Sequence, residues 1–356
     1  MNDQGGARGV RRSVFAPLAH PVFRRMWLAS LLSNLGLFIL SVGAAWSMAQ
    51  LTPSPTLVAL VQTASMAPVA LFALFSGAVA DMFDRRKVAI AALLVSAAGA
   101  AALTGLAAAD RITPAALIVF CFVVGSGSAL LWPAWGASAS EMAPPELLPA
   151  AVALNGVSFN VARSLGPALG GAIVAAAGGV AAFAICALGY APLLFALASW
   201  RRQAEPARLP PESLSRAVIS GLRYVRNAPT IRVAILRTTA IGFAGGGVAA
   251  LLPLIARDLL KAEATTFGLL LGCFGLGAVI GALNLGRVRA QLSAEATIRA
   301  CAGLMAVAAA AIAQSRSPWL TGTALLGFGA GWTGAMMCLN VTVQTAKPRW
   351  VAARAL

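Results

Sequence analysis

Arg163 carries the most chemistry in this chain of 356 residues. It stands inside a long apolar stretch. Counting ~1.5 Å per helical residue puts it ~20 Å from the start of that stretch, near the middle of a bilayer-thick segment. A guanidinium at a membrane centre is disfavoured by at least ~2.5 to 3.5 kcal/mol on insertion scales. The apolar stretches hold no Asp or Glu in their interiors, so no carboxylate is at hand to neutralise it. Two readings follow. Either a water-filled cavity or an anionic substrate supplies the counter-charge, or the guanidinium packs between helices and bonds carbonyls. Asn160 falls on the same helical face as Arg163. Asn34, Gln62, Asn155, Asn340 and Gln344 are further polar groups in apolar stretches, and Trp46, Trp132, Trp135 and Trp332 are aromatics there. Singly, each suits helix packing or a membrane interface. As a set they suit a bulky ligand with aromatic and polar parts.

A second cluster is Gly77-Ala-Val-Ala-Asp81-Met-Phe-Asp-Arg85-Arg86-Lys87, between two apolar stretches. Gly77, lacking a Cβ, lets its helix approach a neighbour closely. Asp81 can pair with Arg85 or Arg86, or accept from the positive N-terminus of a facing helix. An acid at that spacing is not needed to set topology, whereas Arg86 and Lys87 are explained by topology alone.

Other chemistries lack their residues. No paired intramembrane Asp, no Ser with an intramembrane His and no H-E-x-x-H site occurs, which argues against an enzyme. No Gly-Lys-Ser/Thr phosphate loop is present to drive an ATP-powered pump. The five cysteines (Cys121, Cys186, Cys273, Cys301 and Cys338) all lie in apolar stretches without paired spacing, so neither a metal site nor a disulfide framework is expected, and no cofactor is implied. The single histidine, His20, precedes the first apolar stretch and reads as a loop residue. A net charge of +16 could suit nucleic acid, but the basic residues are dealt out between apolar stretches rather than gathered in a patch.

The elements that must position these residues are membrane helices. The chain is 59% hydrophobic and 11% charged, with a mean hydropathy of +0.82; the bilayer is the solvent that fits. Ten spans are expected at about 27–50, 56–80, 88–109, 114–137, 149–176, 179–199, 234–256, 266–285, 298–313 and 318–344. With the N-terminus in the cytoplasm, only Arg111, Arg257, Lys261 and Arg316 of the 27 Lys and Arg fall outside, and Arg163 and Arg237 fall in spans. That asymmetry indicates an N-inside topology. Arg237, near the cytoplasmic start of its span, reads as a snorkelling side chain. Residues 1–199 form a six-helix bundle in this reading, 200–233 a cytoplasmic linker and 234–356 an incomplete second bundle. In the linker, Leu214, Val218, Leu222 and Val225 recur at helical spacing beside Arg216, Arg223 and Arg226, as in a basic helix lying on the membrane surface.

The two halves repeat. Gly77 and Arg85 correspond to Gly281 and Arg289, with Leu285 where the first copy has Asp81; Gly125-Ser-Gly127 corresponds to Gly327-Phe-Gly329. Pro144-Pro145 and Pro348 follow at similar offsets, and Leu148-Pro-Ala-Ala-Val-Ala-Leu154 resembles Trp350-Val-Ala-Ala-Arg-Ala-Leu356. If the repeat is real, the sequence stops at the start of an eleventh helix.

These residues resemble the major facilitator superfamily. The branch is that of the transmembrane secretion effectors, which includes bacterial enterobactin exporters and related siderophore or drug efflux proteins. The resemblance rests on Pro21-Val-Phe-Arg-Arg-Met-Trp27, Ser33-Asn-Leu-Gly36, the Gly77–Lys87 loop, Pro133-Ala-Trp135, Ala151-Val-Ala-Leu-Asn-Gly-Val-Ser-Phe-Asn160, Gly166-Pro-Ala-Leu-Gly-Gly171 and Gly221-Leu-Arg-Tyr-Val-Arg226. Met82 and Asp84 depart from the general superfamily loop, which has a basic residue and a glycine there. The resemblance implies an all-α polytopic fold with six N-terminal and about four C-terminal helices, the eleventh and twelfth missing. It also implies proton-driven export of a siderophore- or drug-like small molecule by alternating access across the bacterial cytoplasmic membrane. Gly166 and Pro167 then belong to an exporter motif in helix five that kinks and packs tightly. Helices one, four and ten, which carry the tryptophans, would line the cavity. In the family Asp81 latches the outward-open state against the eleventh helix, so here it is expected to keep only its local Arg partners. The rival expectation is a truncated membrane protein that does not transport.

Overall fold

The computed structural model describes residues 15–142, 144–200, 227 and 229–345. Among them, nine helices are long and apolar enough to cross a membrane. They are α1 (Pro21–Leu51), α2 (Pro55–Met82), α3 (Arg85–Ala108), α4 (Pro114–Met142), α5 (Leu148–Ser199), α6 (Pro229–Leu254), α7 (Ala264–Gln291), α8 (Ala294–Gln314) and α9 (Pro318–Thr345). A π turn, Ile255–Leu259, ends α6. The amphipathic segment expected around Leu214 to Val225 lies outside the described residues.

Local chemistry sets the helix boundaries. Proline opens α1, α2, α4, α6 and α9, where its missing N–H is no loss and its fixed φ suits the first turn. Ser54, Asp84 and Ser293 cap α2, α3 and α8 by accepting from Leu57 N, Arg86 N and Ala296 N. The connections from α1 to α5 and from α6 to α9 are short, so consecutive helices within each group run antiparallel.

The ten expected spans appear as nine helices because the fifth and sixth run on as α5. The break between its two limbs is Gly178, at φ 73° and ψ 179°, a backbone region open in practice only to glycine. Pro167 lies within the first limb.

Packing follows small residues, as it must where lipid is as apolar as the helix surface. α1 lies between the limbs of α5. Gly36 and Gly43 meet the second limb at Cys186 and Ala182, while Gly166 and Gly170 of the first limb meet Phe38 and Ile39. Polar groups add to the packing: Trp27 Nε1 on α1 donates to Leu154 O on α5 at 2.8 Å, and Ser96 Oγ on α3 to Val124 O on α4 at 3.2 Å.

The internal repeat is visible in the packing, with one correction. Gly125 faces Ser65 on α2 and Gly127 faces Ser96 and Ala92 on α3. Their counterparts are Gly329, which faces Phe274 on α7, and Gly331, which faces Cys301 on α8. The glycine pair matched from sequence, Gly327 and Gly329, is therefore two residues out of register. The corrected pair has the same separation from Gly125 and Gly127 that Gly281 has from Gly77.

Candidate functional site

Three connected chambers lie between the N-terminal helices and α6, α7 and α9. The first, about 300 Å³, is lined by Gln62, Trp132, Phe159, Arg163, Phe274 and Trp332 among others. The second, about 180 Å³, shares Gln62, Arg163, Phe274 and Trp332 and adds Pro167, Gly245 and Phe267. The third, about 780 Å³, is lined by Asn160, Arg163, Ser164, Trp332, Thr333 and apolar residues of α5, α7 and α9. Arg163 and Trp332 border all three.

The walls are aromatic on both sides. Phe159 meets Phe38 edge-on at 5.5 Å and Trp132 at 5.9 Å. Across the cavity, Trp332 meets Phe274 edge-on at 5.5 Å. Gly245 on α6 makes room for that indole, since any Cβ there would overlap the ring. Arg163 is half-buried between these walls. One terminal nitrogen donates to Asn160 Oδ1 at 2.7 Å, and Nε is buried with no hydrogen-bond partner among the described residues. A guanidinium held this way keeps donor capacity that suits an anionic or strongly accepting group.

The sequence-expected residues divide. Gln62, Trp132, Arg163 and Trp332 border the central chambers and Asn160 the third. Trp135 packs against the hydrophobic core of the N-terminal helices instead. Trp46 is buried and stacks on Phe267 at 5.9 Å. Asn34 is half-buried on α1 and borders none of the three chambers, nor does Asn155, whose Oδ1 is buried without a partner among the described residues. Asn340 lies in α9 and Gly77 and Asp81 in the last turns of α2, with their side chains outside the described residues. Phe38, Phe159 and Phe274 were missed: phenylalanine inside an apolar span carries no signal of which way it faces.

Comparison with known proteins now decides the family. The profile of the transmembrane secretion effectors matches residues 12–356. The chain belongs to the transmembrane secretion effector family. It is a multi-pass membrane transporter of the major facilitator fold, and its relatives are transporters rather than enzymes. It is 27% identical over 296 residues to the multidrug efflux pump Tap of Mycolicibacterium fortuitum, covering 80% of this chain and 71% of Tap. It is 24% identical over 346 residues to the enterobactin exporter EntS of Shigella boydii serotype 4, covering 94% of this chain and 80% of EntS. Its fold matches a bacterial homologue of the iron transporter ferroportin in an inward-facing state, at a TM-score of 0.71 and 17% identity over 94% of this chain and 86% of that one. A bacterial homologue of the lysosomal transporter Spinster, inward-facing and unoccupied, matches at 0.68 and 14% identity over 93% and 79%.

In this secretion effector one end of the cavity is closed. Ile39, Val42 and Trp46 of α1, Leu252 and Ala256 at the end of α6, and Ala264 and Phe267 of α7 form one buried apolar cluster. The Arg257 guanidinium donates to Thr52 O at 3.3 Å across the same end and pairs with Asp258 at 2.6 Å. α5 and α7 cross here on matched small residues: Ser164, Ala168 and Gly171 oppose Gly275, Gly272 and Gly268. This face was legible in principle, because both sets recur at the spacing of one helical stripe.

The other end carries the Gly77–Lys87 loop. Asp84, where the superfamily loop has glycine, is the cap of α3. Arg86 Nε and a terminal nitrogen donate to Leu197 O at 2.8 Å and Ala198 O at 2.6 Å. Arg86 thus satisfies carbonyls at the C-terminus of α5, where a cation also opposes the helix dipole. Setting topology is not its whole role. Arg237, expected to snorkel, instead forms a bidentate pair with Glu295 at 2.6 and 3.2 Å. Glu295 stands in the first turn of α8 and also accepts from Arg299 at 3.1 Å.

Proposed function

We propose that this transporter exports bulky, drug- or siderophore-like small molecules across the bacterial cytoplasmic membrane by alternating access. The N-terminus faces the cytoplasm in this reading, which the Lys and Arg asymmetry supports. The Thr52–Arg257 end then faces outward and is shut, so the conformation described is inward-facing. Six helices to residue 199 and those from residue 234 act as the two moving halves, joined by the linker of residues 200–233. Gly166, Pro167 and the Gly77, Asp81, Arg85 and Arg86 loop belong to the contacts that change between states.

The observation that carries this reading is Arg163: a guanidinium whose buried Nε has no hydrogen-bond partner among the described residues, bordering three chambers, between aromatic walls from both halves. Its chemistry suits an anionic or acceptor-rich group, and the aromatic walls suit the ring systems of the molecules that Tap and EntS are named for. The proposed coupling ion is the proton, on family resemblance alone.

Efflux by the 356-residue chain tests the proposal. Cells or proteoliposomes are loaded with an anionic aromatic dye, an arylsulfonate, or with an uncharged dye of similar size. A charge-assisted hydrogen bond contributes ~1.5 to 3 kcal/mol, so Arg163→Ala lowers arylsulfonate efflux by roughly 10- to 150-fold and leaves the uncharged dye nearly unaffected. No transport of either dye at normal membrane abundance sinks the carrier reading. Equal loss for both dyes removes Arg163 as an anion anchor. Efflux that survives collapse of the proton gradient removes proton coupling.

A further inference from the structure

Trp332 borders all three chambers, and its neighbours fix where the indole lies. Gly329 and Gly331 press α9 onto α7 at Phe274 O and onto α8 at Cys301 O, which sets the rotation of α9. Phe328, one turn before Trp332 on the same face, is fully buried and meets the indole edge-on at 6.5 Å. Phe274 meets it edge-on at 5.5 Å. α6 supplies a notch: the three atoms nearest to a Cβ built on Gly245 are all carbons of the Trp332 indole.

The internal repeat places Gly245 and Trp332 in the second half where Ser41 and Ser128 stand in the first. Trp332 follows Gly331 as Ser128 follows Gly127, and Gly245 lies as far before Gly331 as Ser41 lies before Gly127. Ser41 and Ser128 both border the first chamber. At equivalent places one half thus lines the cavity with two small hydroxyl side chains, and the other with an indole seated against a glycine. Sites for drug-sized ligands run from ~300 to 1,000 Å³. The two central chambers, about 300 and 180 Å³, lie at or below that floor, and the third, about 780 Å³, lies within it. A small anion fits beside Arg163 in the first chamber alone. A bulky one must take two chambers at once, and Trp332 stands at their common border.

We propose that Trp332 is the size filter of the cavity and that Gly245 is the residue that positions it. The proposal rests on the transporter reading above and adds what sets the size of the cargo. With the indole in the Gly245 notch the chambers are separate. Without the indole they join. With a methyl group in the notch the ring must leave it, and because Phe274 and Phe328 hold two of its other sides, it turns into the chambers and narrows them.

Two arylsulfonates of the same net charge test this in proteoliposomes: naphthalenesulfonate, small enough for the first chamber alone, and sulforhodamine B, too large for either central chamber. The readout is the ratio of sulforhodamine to naphthalenesulfonate transport, which cancels differences in protein abundance. One methylene in an apolar pocket discriminates by roughly 10- to 200-fold, so Trp332→Ala is expected to raise the ratio by about tenfold or more. Gly245→Ala is expected to lower it by about tenfold or more. The double variant is expected to return to the Trp332→Ala ratio within about twofold, because without the indole the added methyl has nothing to displace. A ratio in Trp332→Ala within about twofold of the wild type overturns the filter. So does a Gly245→Ala loss that persists in the double variant. Trp332→Leu covers the case in which the alanine variant moves neither probe; loss of both there too shows an indole needed for folding and overturns the filter, leaving the carrier reading intact. Failure of the wild-type chain to move either probe overturns the transporter reading itself.

Discussion

Replacing Gly268 with alanine asks how firmly the closed end is held. A Cβ on Gly268 would stand 2.5 Å from Gly171 Cα, 2.6 Å from Pro167 O and 2.8 Å from Gly171 N. All three are backbone atoms of α5, so no side-chain rotation relieves the clash. Ordinary contact begins at 3.4 Å, which means that α5 and α7 must part by about 1 Å at their crossing in a close-packed interior. Overpacking of this kind costs ~1 to 3 kcal/mol. Under alternating access the cost falls only on the state in which these helices touch here. The balance then moves roughly 5- to 150-fold toward the opposite-facing state, since ~1.4 kcal/mol is tenfold. Gly272→Ala is the matched control: its Cβ meets Ala168 Cβ at 3.4 Å and nothing nearer. Ser41 borders both central chambers, so Ser41→Cys, in a chain whose five native cysteines are replaced, reports access from outside. A membrane-impermeant maleimide is added to intact cells and the labelling rate is measured. Gly268→Ala is expected to raise that rate by at least about fivefold, and Gly272→Ala to leave it within about twofold. Equal rates in the two variants, at equal membrane abundance, refute the argument that backbone contact at Gly268 holds the outer end shut.

Three further outcomes are expected. Gly178→Ala lowers stability by ~1 to 3 kcal/mol through backbone strain alone, because the added Cβ meets nothing within 4 Å; an unchanged thermal midpoint would remove the strain argument. Arg86→Gln frees two carbonyls at the end of α5 and costs ~1 to 3 kcal/mol, whereas Lys87→Gln, with an exposed side chain, costs less than ~0.5; thermal unfolding in one detergent compares them, and equal losses contradict the capping role. Glu295→Gln lowers the thermal midpoint more in the presence of Arg237 than in an Arg237→Gln background, where only the bond to Arg299 remains to be lost; additive losses show that the pair is not coupled.

The spans were legible because lipid imposes one requirement on every helix that crosses it: the backbone must satisfy itself inside a long apolar stretch. Proline at helix starts and Lys and Arg between stretches punctuate that pattern. The Gly166–Gly171 motif was legible too, as a place of close packing. Which neighbour each glycine meets was not, since the motif serves two: Gly166 and Gly170 face α1, while Gly171 faces α7.

Sequence alone therefore determined the class of protein, the approximate places of its apolar helices, and the oddity of a charged Arg163 within one of them. Tertiary structure decided which side chains surround it. In water, hydrophobic periodicity tells a helix's inner face from its outer face. In lipid both faces are apolar, so Trp132 at the cavity and Trp135 in the core look alike in one dimension. Their difference is helix rotation, and rotation is set by small residues locking on neighbouring backbones. Ser164, Ala168 and Gly171 pack closely against Gly275, Gly272 and Gly268; the large apolar residues beyond them line the third chamber. That contrast needs two helices far apart in sequence to be brought together before it exists.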